Sequence, residues 1–242
     1  MKVRIKFSKY GALRFIGHLD VMRYFQKAIR RAGIDIAYSE GFSPHQIMSF
    51  ASPLSVGHTS EGEYFDIEVN TFTGEYDMQQ RLQAVKVEGI DILKVKLLSE
   101  GEGNAMASVA AASYLVSFRD ENILPSGWQD ELLKFYNQPS IPVIKETKKG
   151  EKEIDLKESI YDLQIRPGIL HKGQERAAET EIYLLLNASS GGNIKPAFVL
   201  ETFFKTMDYE IPPFAMLVHR LDTFRNPGTE EERKLVPLIW EE

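Results

Sequence analysis

Apolar and charged residues alternate from the start of the chain. Val3, Ile5 and Phe7 interleave with Lys2, Arg4 and Lys6, a period of two that predicts a strand with one covered face and one open, basic face. From about His18 to Ala32 the period lengthens. Leu19, Met22, Phe25 or Gln26, and Ile29 then share one stripe, and Gly33 follows where helices commonly end, so an amphipathic helix is expected. A short apolar piece, "IDIAY", and a long loop lead to "YFDIEV", whose Phe65, Ile67 and Val69 line one face of a third strand. Met78, Leu82 and Val85 mark a second helix face, and Leu93, Val95 and Leu97 a closing strand that turns Lys94 and Lys96 the other way. The order is βαββαβ, a split βαβ unit.

Ser99 to Ala112 is small, polar and glycine-containing, which reads as a linker. Beyond it the order recurs. "SYLVSF" is a strand, and "SGWQDELLKFYNQ" a helix with Ser126 and Gln129 at capping-box spacing and Trp128, Leu132 and Phe135 on one side. "IPVIKETKKGEKEIDL" follows as a hairpin turning at Lys149-Gly150, "ETEIYLLLNA" as a strand, Pro196 to Met207 as a helix, and "FAMLVHRLDTF" as the last strand. The expected fold class is therefore α+β, with tandem ferredoxin-like (βαββαβ) domains at 1–98 and 113–225, the second carrying an insertion near 150–178. A tail follows at 226–242. The halves share an order of elements, not a residue-level repeat.

Composition narrows the function classes. Hydrophobic residues at 43% and charged residues at 26% of 242 are those of a folding globular chain. With no cysteine the chain forms no disulfide, thiolate nucleophile or cysteine-held cluster. The N-terminus lacks the apolar core of a signal peptide and no later run is long enough to span a bilayer, so a cytoplasmic protein with no membrane association is expected. Net charge is −6 but unevenly placed. Residues 1–50 hold nine Lys/Arg against three acids, a net +6, while the rest, with 20 against 32, carries −12. A polyanion would meet the N-terminal part.

Within that part Arg23, Lys27 and Arg30 follow i, i+4, i+7 spacing with Arg31 one residue round, a stripe suited to phosphates or equally to plain solvation. The sheet face carrying Lys2, Arg4 and Lys6 should meet Tyr64, Asp66 and Glu68 on the next strand and be largely self-neutralised. His18, His45 and His58, with Asp20, Glu61 and Glu63, offer nitrogen and oxygen ligands, but their spacing matches no metal motif; neither metal nor cofactor is expected. The loop "SEGFSPHQIMSFASPLSVGHTSEGE" is long, with Gly41, Gly57 and Gly62 permitting positive φ and Ser39, Ser43 and His45 offering hydrogen-bonding groups. "SSGGNIKP" leads to a helix start and reads as a phosphate cradle or a tight turn. His219, Arg220 and Arg225 are looser candidates.

"FIGHLD", "RRAGI" and "YSEGFSPHQIMSFASPLSVGHTSEGEYFDIEV" resemble the radical-SAM-associated domain of unknown function, over about Lys6 to Val69, and "EIDLKESI" and "GGNIKPAFVLETFF" also fit. The resemblance implies a radical SAM enzyme as partner. The chain itself, lacking cysteine, does not hold that enzyme's cluster. It also implies, through the family's frequent placement near RNA-processing and ribosomal genes, RNA as the associated substrate. Arg14, Arg23, Lys27, Arg30 and Arg31 would contact phosphate, with Gly41, Ser43 and His45 completing the surface. At the level of fold the chain is similar to the RAMP endoribonucleases, which implies an alternative: metal-independent cleavage by His18, with His45 or His58 as second acid/base. A protein-only scaffold for the radical SAM enzyme is the third reading.

Overall fold

The computed structural model describes residues 1–147, 150–172 and 177–240. In chain order the elements are β1 Lys2–Lys9, α1 His18–Arg31, β2 Met48–Phe50, β3 Thr59–Glu68, α2 Glu75–Ala84, β4 Ile90–Leu97, α3 Ala105–Ser108, β5 Ala111–Phe118, α4 Trp128–Tyr136, β6 Pro142–Thr147, β7 Gly150–Asp155, β8 Ile160–Pro167, β9 Thr180–Asn187, α5 Pro196–Lys205, β10 Met216–Arg225 and β11 Val236–Pro237. The protein is α+β. Two compact units divide it: Met1–Ala110 with the chain from His219 onward, and Ala111–Val218. The boundary falls inside β10, so most of that strand and the described part of the tail, to Trp240, belong with the N-terminal residues.

In the first unit β1 is central, antiparallel to β4 on one side and β3 on the other. The far edge of β3 is shared by β2, antiparallel at Phe65 to Ile67, and by β10, parallel at Thr59 and Ser60. The expected second strand, "IDIAY", forms no ladder and makes two isolated bridges, Ile36 to Val69 and Tyr38 to Gln46; the strand that pairs along β3 is Met48–Phe50, inside the expected loop. α1 covers one sheet face with Val21, Phe25, Ala28 and Ile29, whereas Leu19, expected on that stripe, is 60% exposed. Phe25 packs on Phe7 and Phe65 at 4.7 and 4.5 Å between ring centroids, and Phe50 stacks on Phe65 at 5.1 Å. Each buried ring contributes roughly 1.5–3 kcal/mol and each pair about 0.5–1.5 more. In β4 the register slips against Lys6/Phe7, so Ile92 and Val95 are buried while Leu93, expected inward, is exposed.

The other face of this sheet is not open. Arg4, at 0% exposure, lies opposite Asp66 and grips it with Nε to Oδ1 at 2.8 Å and Nη2 to Oδ2 at 3.0 Å. Its guanidinium also donates to Gly103 O at 2.9 Å and Leu238 O at 3.0 Å. The stretch expected as a free linker is thus packed here: Ala105 N donates to Asp66 Oδ2 at 2.7 Å and α3 begins under the Asn104 cap. The tail docks as well, through β11 on β10 and buried Leu238 and Ile239. Lys6 Nζ and Tyr64 Oη both donate to Asp222, at 2.7 and 2.6 Å. Arg4 is therefore neutralised across β1 and β3 as the pairing rule requires, under cover rather than in water, whereas Lys6 takes its counter-charge from Asp222 on β10. Burial, followed by the Asp222 carboxylate, pushes the Tyr64 phenol far up.

The second unit has an antiparallel sheet of β5, β9 and β8. β8 lies within the expected insertion but is a full sheet strand; the hairpin β6–β7, a separate two-stranded sheet, is the excursion. Of its expected turn at Lys149-Gly150, residue 149 lies outside the described residues. α4 starts at Trp128 on Gly127, whose φ of 74° needs glycine, and no side chain caps it, so the Ser126/Gln129 box does not form. Phe135 and Phe203 join α4 to α5 at 5.6 Å. "SSGGNIKP" closes as a tight turn on Asn187, which accepts from Ser189 N at 3.0 Å and whose carbonyl accepts from Ile194 N at 2.9 Å.

Candidate functional site

α1 turns one face to the core and the other to solvent. On the outer face Arg23, Lys27, Arg30 and Arg31 are all exposed, against Asp20 as the helix's only acid. Asp20 approaches Arg23 at 3.4 Å, both largely exposed, a pairing worth little in water. Arg30 Nε bonds back to Gln26 O at 3.3 Å, and Arg31 Nη2 caps the end of α2 through Val85 O at 2.9 Å, so Arg31 is partly committed to structure. Arg14 lies off the helix, on the 3-10 turn Gly11–Phe15, with its guanidinium over the Phe15 ring at 4.8 Å.

The loop after α1 is held against this face. Gln46 Nε2 donates to Gln26 O at 3.3 Å, and Gln46 bridges Tyr38. One step further out Ser39 and His45 close the loop's neck: Ser39 N donates to His45 O at 2.9 Å, His45 N to Ser39 Oγ at 3.1 Å, and Oγ meets Nδ1 at 2.8 Å. Residues 40–44 arch beyond that neck, turning at Gly41, whose φ is 106°. Gly41 and Ser43 are exposed, and Phe42 is fully so, at 112%. Tyr38 at the base is 49% exposed. Sequence reasoning placed the cations, Gly41, Ser43 and His45 on one surface but missed both aromatics. The available signal was an aromatic standing between Gly41 and Ser43-Pro44 in an otherwise polar loop.

The histidines fall in different settings. His18 opens α1 with its ring edge-on to Phe50 at 5.1 Å, on the wall of a cavity of about 20 Å³ shared with Lys9 and Glu63. That is room for about one water. His45 pins the loop neck, and His58 sits in the Ser55 turn, its N–H donating to Ser55 O at 3.2 Å. Among the described residues no three His, Asp or Glu side chains gather as a metal-holding group.

Behind the cavity lies a buried cluster that the spacing of the sequence did not reveal. Lys9, 2% exposed, donates its ammonium to Ile16 O at 3.0 Å, and Glu63 accepts from Arg220 Nη1 at 2.9 Å, which also reaches Ser52 O at 2.9 Å. Burial lowers the Lys9 pKa, Glu63 partly restores it and Arg220 lowers it again. Beside Arg220, His219 Nδ1 lies 2.8 Å from Thr59 Oγ1, and Arg225 pairs through its backbone with Val236. All three late candidates are thus in the first unit.

Fold and surface define an α+β protein whose N-terminal unit presents a basic helix beside an aromatic-tipped loop. The chain belongs to the family described as "Uncharacterized protein conserved in bacteria (DUF2344)", which matches residues 2–196. No curated protein matches it. Among solved structures it is similar to a chain of the "Crystal Structure of a Cbf5-Nop10-Gar1 Complex", at 8% identity and a TM-score of 0.46, over 91% of this chain and 48% of that one. It spans about half the length of that neighbour. No helix among the described residues is long and apolar enough to cross a membrane.

Proposed function

We propose that the protein is a non-catalytic RNA-binding accessory that acts with a radical SAM enzyme in modifying or processing tRNA or rRNA. The observation that carries the RNA reading is the solvent face of α1: four cations on a helix with one acid, in a chain whose net charge is −6. Surface cations that are unpaired, or held only in a weak exposed pair as Arg23 is with Asp20, release counterions from a phosphate backbone when they bind it, whereas cations locked in buried pairs do not. Arg23, Lys27 and Arg30 take phosphates; Arg31 contributes less because Val85 holds it. His18, walling a water-sized cavity, serves packing rather than acid/base chemistry. The radical SAM partner rests on the resemblance of "FIGHLD" and the segments around it. The test is RNA affinity against salt for the full chain and for R23A/K27A/R30A. The slope of log K on log salt should shrink by about 0.7–0.9 for each cation removed, about 2 to 3 in all. Salt-insensitive binding, no binding, or a slope unchanged in the variant would refute the reading.

A further inference from the structure

Phe42 poses a question that the basic face does not answer. A phenylalanine left wholly in water forgoes the stabilisation a buried ring supplies, yet this one crowns a loop built to hold it out. The neck is closed by the Ser39–His45 hydrogen bonds, the base is fastened to α1 at Gln26, and Pro44 stiffens the descending limb. Gln26 lies between Arg23 and the Lys27/Arg30 pair along the helix. From Gln46 to Phe42 is four residues, at most about 14 Å of extended chain, and the Gln26 carbonyl that anchors Gln46 also accepts from Arg30 Nε, so the loop tip is tethered within that reach of the basic helix. Tyr38, half exposed, forms the loop's foot.

We propose that this surface takes unpaired nucleotides, with Arg23, Lys27 and Arg30 on successive phosphates and a splayed-out base stacked on Phe42. The inference deepens the RNA reading of α1 and rests on it. A basic face alone suits duplex and single strand alike. An exposed ring on a pinned arch distinguishes them, because the bases of a duplex are stacked on one another and offer no free face, whereas an unpaired base offers its π-surface to any aromatic. Ser43 and His45, exposed beside the ring, supply groups for base edges without demanding one base. The same combination of ring and cations would also suit an anionic membrane surface, which the experiment separates.

The experiment is fluorescence anisotropy with the full-length protein, an unstructured oligouridine RNA of about 12 nucleotides, and a duplex RNA of about 16 base pairs. Vesicles of mixed anionic and neutral phospholipid form the third arm. The single strand should bind at least about tenfold more tightly than the duplex. Phe42→Ala should weaken single-strand binding by about fivefold or more with the salt slope unchanged, because it removes a stack and no charge. Phe42→Trp should retain binding and report the base through quenching of its fluorescence, measured as the difference from wild type. Equal binding of both RNAs, or Phe42→Ala binding like wild type, overturns the inference while leaving the RNA reading intact. No binding of either RNA overturns both. Phe42-dependent binding to vesicles without RNA binding overturns both in favour of a lipid surface.

Discussion

Arg4→Met tests whether the covered sheet face holds the first unit together. Methionine keeps much of the arginine stem's apolar volume, so packing loss is small and the guanidinium's absence dominates. Four losses follow from the geometry: the two-pronged grip on Asp66, the donors to Gly103 O and Leu238 O, and the 3.7 Å approach to the partly exposed Glu102 carboxylate. Removing one partner of a buried ion pair costs about 3–5 kcal/mol, since the remaining charge stays buried without compensation. Asp66 retains the Ala105 N–H, and the two carbonyls can recover part of their hydrogen bonding from water if the tail loosens, so about 4 kcal/mol is expected. At a slope of about 2 kcal/mol per molar, that lowers the urea midpoint of this unit by about 2 M. The two tryptophans allow the units to be followed separately: Trp128 is in the second, Trp240 in the first. Fluorescence in a Trp128→Phe background therefore reports the unit of interest. The double variant Arg4→Met/Asp66→Asn removes the stranded charge but keeps an acceptor for Ala105, and should recover about 2 kcal/mol. A loss below about 1 kcal/mol for the single variant, or a double variant no more stable than the single, would refute the reasoning.

Two further substitutions probe the same unit. A Cβ on Gly62 would collide with the backbone of β10, at Asp222 Cα and at 2.6 Å from Leu221 O, so Gly62→Ala should cost about 2–3 kcal/mol and speed proteolysis of the chain after Asn226; wild-type stability and cleavage rate would count against the close β3–β10 approach. Tyr64→Phe should alter the alkaline limb of stability. The folded phenol, held up by burial and Asp222, stays protonated above pH about 10 while the unfolded one ionises, so the folded state binds more protons and stability falls as pH rises. Without that phenol the fall is shallower by about 1.4 kcal/mol per pH unit, at a cost near neutrality of about 1–3 kcal/mol for the lost Asp222 bond. Lys9, lowered by burial, acts oppositely but equally in both proteins and cancels in the difference. Parallel urea-midpoint curves between about pH 8 and about pH 11 would sink the assignment.

Several elements were legible in the residue pattern, and the misses have local causes. α1 was readable to within a residue because its apolar spacing ends at Ala32 before Gly33, whose φ is 62°. Leu19 misled because it matches the helical period from Met22 and Phe25, but the buried stripe is centred on Val21, Phe25, Ala28 and Ile29, and the helical rotation carries Leu19 well round from it. β8 was hidden by a register shift between Ile160 and Asp162, which breaks its alternation, and β4's inward residues changed parity for the same kind of reason. β2, three residues long, is too short to show any period. The cations of the candidate surface were legible because helix spacing alone puts them on one side. The exposure of Phe42 was not, since a lone aromatic in a loop is as consistent with a buried anchor as with a projecting one.

What the sequence determined by itself is whatever follows from backbone periodicity and local turns: the α+β class, the extent of α1, its basic outer face, and the meeting of a basic face on β1 with an acidic one on β3. What only the tertiary structure decided depends on residues far apart in the chain. Arg4 is buried because a carbonyl 234 positions away, at Leu238, comes down on it, and Glu63 finds Arg220 157 positions along. Neither separation leaves a trace in local pattern, because burial belongs to the assembled set of elements while periodicity belongs to each element alone.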